Sequence, residues 1–174
     1  MKKLIAIALA VVLLLTFGAG TALAEEPEHA TGGASFVVPT EPYPRLSFTF
    51  TVQSTGGGSG EGVLHFFIHG PYVRHLICDV KYCKIEGNTA WFAGQCIHDT
   101  YPEGLGGIQV GYWLVVKAVD NGEPGVGNDY ISRVWIGPLE SQAQVWVNDM
   151  CDPEDLPHGV GSTIETGNLQ VHSQ

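Results

Sequence analysis

Basic residues are scarce in this chain: 8 Lys and Arg stand against 18 Asp and Glu in 174 residues. Two of the eight are Lys2 and Lys3, so beyond residue 24 six basic residues face eighteen acidic ones, a formal net charge of −12. Nucleic acid and anionic membrane both call for a basic face and are not expected as partners. Catalytic signatures are missing too. There is no Gly-x-Ser-x-Gly elbow and no His-Glu-x-x-His pair, and the glycine-rich run from Gly56 to Gly60 lacks the Lys-Ser/Thr step of a phosphate loop. A helical period is absent after Ala24, and only one long apolar run occurs. That run, residues 4–17, has about 14 residues where a membrane-spanning helix needs roughly 20.

What is present begins with export. Lys2 and Lys3, the apolar run and the small-residue pattern Ala22-Leu23-Ala24 read as a secretory signal peptide over residues 1–24, cleaved to leave Glu25 first. No cysteine follows the run to carry a lipid, and the paired basic residues are not a twin arginine. The expectation is a secreted or periplasmic protein with no membrane attachment after cleavage. Residues 25–31 read as a loose acidic leader, and residues 32–174 as one domain.

That domain is rich in glycine, 21 of the 23 in the chain, and holds nine of the ten prolines. Short β-type segments alternate with turn signals. The cleanest is Leu46-Ser47-Phe48-Thr49-Phe50-Thr51-Val52-Gln53, apolar at every even position, which predicts a strand with one core face and one wet face. Further strands are expected over 63–69, 72–85, 89–96, 108–119, 129–136, 142–148 and 164–172, with flexible connections at 54–60, 99–107, 120–128 and 149–162. Strands at such spacing, without an internal repeat, predict an all-β domain: a single antiparallel β-sandwich or flattened β-barrel of about eight to nine strands.

Four cysteines in an exported chain favour two disulfides over thiols. If the hairpin between 72–85 and 89–96 turns through Glu86-Gly87-Asn88, paired numbers sum to 174 and Cys78 faces Cys96. Cys83, read as lying on the opposite strand face, is then left for Cys151. A two-residue Gly87-Asn88 turn would change the register and favour another map.

Three groups invite a chemical reading. Asp120, Asn121, Glu123, Asn128 and Asp129 crowd a glycine-rich loop in which Asp120, Glu123 and Asp129 could converge on calcium. Ordinary turn chemistry is the preferred reading, because the EF-hand spacing is absent. Histidines 65, 69, 75, 98 and 172 invite a metal reading, His75 and His98 beside cysteines, but the spacing is not that of a zinc site, and His65 and His69 are roughly 13 Å apart along one strand. Read as a strand, 142–148 puts Trp146 on a wet face with Gln142 and Gln144, a candidate surface for stacking on a sugar or another ligand.

The succession Gly87-Asn88-Thr89-Ala90-Trp91-Phe92-Ala93-Gly94, then Asp120-Asn121-Gly122-Glu123-Pro124-Gly125 with Asp129, then Gly167-Asn168-Leu169-Gln170-Val171-His172 resembles an uncharacterised family of secreted bacterial all-β domains. The resemblance spans 32–172 and implies an exported β-domain, with no activity attached. The four cysteines and the segment 137–162 depart from the family's simpler pattern. The functional expectation is a non-catalytic binding or structural module for a small-molecule, glycan or protein ligand, without a resident cofactor. A secreted hydrolase, for example one acting on glycans through an acid or His-acid site, is the rival.

Overall fold

The computed structural model describes residues 26–38, 45–70, 73–101, 109–156 and 159–174. The expected signal segment 1–24, residues 102–107 of one expected loop and the side chain of Trp135 lie outside the described part. Nine strands are described: β1 (His29–Phe36), β2 (Arg45–Gly56), β3 (Ser59–His69), β4 (Arg74–Glu86), β5 (Thr89–Asp99), β6 (Trp113–Val119), β7 (Tyr130–Gly137), β8 (Val160–Thr163) and β9 (Thr166–His172). They form one antiparallel sheet in which each strand from β1 to β8 pairs with its sequence neighbour and β9 returns to β1. Only Ile164 and Glu165 separate β8 from β9, so the two sheet edges are halves of one stretch and the sheet curls on itself. The all-β expectation therefore holds, in barrel-like form.

The inner face carries the main core. Leu46, Phe48, Phe50 and Val52 point inward from β2 with the odd positions outside, as the alternation requires. They meet Leu64 and Phe66 of β3, Phe92 of β5 and Leu169 of β9. The acidic leader is shorter than expected, because His29, Ala30 and Thr31 already pair with β2 and β9. The Ser54 to Gly60 connection also tightens, leaving Gly57 and Gly58 as the turn between β2 and β3.

The hairpin between β4 and β5 turns through two residues. Glu86 pairs with Thr89, and Gly87 at φ 57° takes the positive-φ first position of a type II′ turn. Near the turn the paired numbers therefore sum to 175. A bulge at Lys81 then moves the register by one, and Cys78 faces Cys96 after all. The same bulge overturns the reading of Cys83, which shares the inner core with Cys78 and Cys96 instead of facing the other way.

The largest departure is at 142–148. The segment is a helix, α1 (Glu140–Asn148), with Ala143 and Val147 buried. It packs on the outer face of the sheet against Trp113, Val115, Val134 and Ile136, and builds a second hydrophobic layer. Valine alternation at 145 and 147 mimics a strand, but the buried pair is spaced i, i+4, as a single helix face demands. Tyr82 donates to Glu140 Oε1 at 2.8 Å at the N-terminus of α1, and Lys84 Nζ donates to the Asn148 carbonyl at 3.0 Å at its C-terminus. Both charges suit the helix dipole.

Candidate functional site

The residues that resemble a family motif meet one another at the seam of the barrel. Asn88 Nδ2 donates to the Asp120 carbonyl at 2.7 Å and to Asn121 Oδ1 at 3.1 Å. Asp129, fully buried, accepts from the Asn121 N–H through Oδ1 and from the Leu169 N–H through Oδ2, each at 2.9 Å. Asp120 accepts from the Gly122 N–H at 2.9 Å and the Val171 N–H at 3.1 Å, while Asn168 Nδ2 donates to Glu123 Oε1 at 2.6 Å. The carboxylates of Asp120 and Asp129 thus take backbone donors of β9 that have no strand beside them there, closing the sheet with side chains. Among the described residues no three His, Cys, Asp or Glu side chains come together as a metal set.

The second sequence candidate divides. Trp146 is half-buried and packs on the outer hydrophobic layer with Trp91 and Tyr82, whereas Gln142 and Gln144 are exposed on α1. The tryptophans named here thus serve the contact between helix and sheet.

All four cysteines are free thiols in this structure. Cys78 and Cys96 are Cα partners and their thiols are hydrogen-bonded to each other, which pushes the Cys78 thiol up and holds Cys96 below its ordinary value. Cys83 sits in the inner core, where burial and then the charge of Glu28 push its thiol up to about 12. Cys151 follows α1, its N–H donating to the Trp146 carbonyl at 3.0 Å. Close by in sequence, Arg74 and Asp99 form a buried ion pair, with Nε to Oδ1 at 3.0 Å. Burial opposes the Asp99 charge, but the Arg74 and Tyr101 hydrogen bonds outweigh it and hold the carboxyl below its ordinary range.

What the sequence did not single out as a surface is the outer face of β1 to β4, away from α1. Register puts Thr31 beside Thr51 and Thr51 beside Val63, and puts Thr49 beside His65 and Ser47 beside Phe67. An open groove of about 430 Å³ runs here, lined by Thr31, Thr49, Thr51, Val63 and His65. At its edge the rings of Phe67 and His75 stack with centroids 4.2 Å apart and planes within 5°. His65 Nδ1 and His75 Nε2 share a hydrogen bond at 3.0 Å, and Ser47 Oγ meets His69 Nε2 at 2.9 Å. A sequence signal for the His65 and His75 contact did exist: Gly70-Pro71 is a turn signal between two strand-like segments, and in the pairing of β3 with β4 His65 lies opposite Ile77, two positions from His75.

Burial, with the nearby His65 and His98, lowers the His75 pKa from its ordinary value of 6.5. The folded protein therefore refuses a proton that the unfolded chain accepts, and this contribution to stability, complete above about pH 6.5, is lost as pH falls below it. Between pH 7.5 and 5.5 the melting temperature should fall less steeply in His75→Gln than in the wild type. Parallel profiles would remove His75 from the account of acid sensitivity.

No protein-family model, curated protein or solved structure matches this chain.

Proposed function

We propose that this chain is an exported, non-catalytic binding domain that holds a neutral glycan on the outer face of β1 to β3. The observation that carries the reading is the groove of about 430 Å³ with the Phe67 and His75 ring stack at its edge. Its volume falls in the range of ligand sites, roughly 300–1,000 Å³. Threonine hydroxyls both donate and accept, so a row of them suits a ligand that presents hydroxyls, while an aromatic ring offers a face for the C–H side of a sugar. The formal net charge of −10 works against anionic ligands and favours a neutral one.

Export is the companion proposal, supported by Lys2, Lys3, the apolar run and the Ala22-Leu23-Ala24 pattern. In an oxidising compartment Cys78 and Cys96, already facing each other, would join as a disulfide. Peptide mapping of exported protein without reductant reads both the bridge and an N-terminus at Glu25.

Affinity electrophoresis through gels containing a neutral polysaccharide such as dextran, xylan or a soluble β-glucan tests the binding reading. At least one should retard the wild type, and Thr49→Trp, an exposed position on the groove wall, should migrate freely. Free migration of the wild type through the whole panel, or equal retardation of Thr49→Trp, would refute it.

A further inference from the structure

We propose that His65 and His75 form a binding site for a divalent transition-metal ion, Cu²⁺ before Ni²⁺ or Zn²⁺, held between Nδ1 of His65 and Nε2 of His75. The two nitrogens are 3.0 Å apart and face each other across β3 and β4. Metal to imidazole bonds of about 2.0–2.1 Å place two cis ligands roughly 2.9–3.4 Å apart, from square-planar to tetrahedral geometry. A shared ion sits off the line between the two nitrogens, so each ring turns by roughly 40° within its own plane from the present head-on contact to aim its lone pair at the ion, a motion that a parallel ring stack permits. When both imidazoles are neutral, the ring that donates needs only to carry its proton on its other nitrogen, so no net proton is released.

The surroundings hold the pair in place. Phe67 stacks on the His75 ring at 4.2 Å and restricts its tilting. His98, exposed, has its ring centroid 6.3 Å from that of His75 and stands outside the pair. Among the described residues no third side chain completes a ligand set, so the remaining positions on the ion belong to water. Two imidazoles without a carboxylate or thiolate suit the softer end of the divalent series, and affinity there peaks at copper. His65 also lines the groove, but the metal site stands without the glycan reading, since its test uses the metal alone.

Untagged full chain is titrated with Cu²⁺ in a non-coordinating buffer at pH 7.4, followed by calorimetry and by electron paramagnetic resonance. Saturable binding of one ion, with hyperfine coupling to two imidazole nitrogens, is the expected result on the wild type. Losing an outer-shell partner already costs about 10–100-fold in metal affinity, so His65→Ala and His75→Ala should each weaken binding at least about tenfold. His172→Ala should bind as the wild type does, although His172 stacks on His29 at 4.5 Å. The spectrum reads the ligand set directly, so a variant that fails to fold leaves the test intact. Absence of saturable binding, a spectrum without two imidazole nitrogens, or a loss confined to His172→Ala would overturn the assignment.

Discussion

Asp129→Ala should destabilise the fold by roughly 3–5 kcal/mol in a urea titration, the summed scale of two hydrogen bonds to a buried charge. The side chain is fully buried, and its two oxygens serve the Asn121 and Leu169 N–H groups at 2.9 Å. Alanine leaves both donors buried without an acceptor, one in the loop and one in β9, which closes the sheet. Asp129→Asn should be nearly as damaging, because its amide turns an N–H toward one of the two donors. Against a typical total of about 5–15 kcal/mol, either change would bring the domain near its unfolding threshold. Added Ca²⁺ should leave the wild-type midpoint in place, because Asp120 and Asp129 already serve backbone donors and Glu123 accepts from the Asn168 amide. A loss below about 1 kcal/mol in Asp129→Ala, or a saturable calcium shift, would mean that the loop does not staple the seam.

Val147→Asp should release α1 from the sheet at a cost of about 3 kcal/mol or more, combining the lost burial of valine with the penalty for an unpaired carboxylate. Val147 is fully buried among Trp113, Val115, Val134 and Ile136. Trp91, Trp113 and Trp146 all belong to this outer layer, so tryptophan emission should shift to the red. The strand signal in far-ultraviolet circular dichroism should persist, since the inner core does not include α1. Unchanged emission with unchanged stability would contradict the docking of the helix.

Local patterns were legible in proportion to how local their causes are. The even-odd alternation of 46–53 reports its own two faces, and β2 follows it residue by residue. The facing of Cys78 and Cys96 was reached through a three-residue turn that does not exist; the bulge at Lys81 shifts the two-residue register by one and restores the pairing. No composition signal marks that bulge, and it also turned Cys83 inward. In 142–148 two periods compete within seven residues, and the sheet beneath decides for the helix by burying Ala143 and Val147. Asp120 and Asp129 read as turn-formers, which they are, but their partners lie 40 or more positions away on β9. The outer groove was the least visible feature, because it exists only once three strands have settled their mutual register.

Chemical-shift mapping on ¹⁵N-labelled protein with a retarding polysaccharide's oligosaccharide tests the binding face most directly. Perturbations should concentrate at Thr31, Thr49, Thr51, Val63, His65 and Phe67, the groove and its ring-stacked edge. Shifts centred on Gln142, Gln144 and Trp146 of α1, with the groove silent, would contradict it and return the site to the helix.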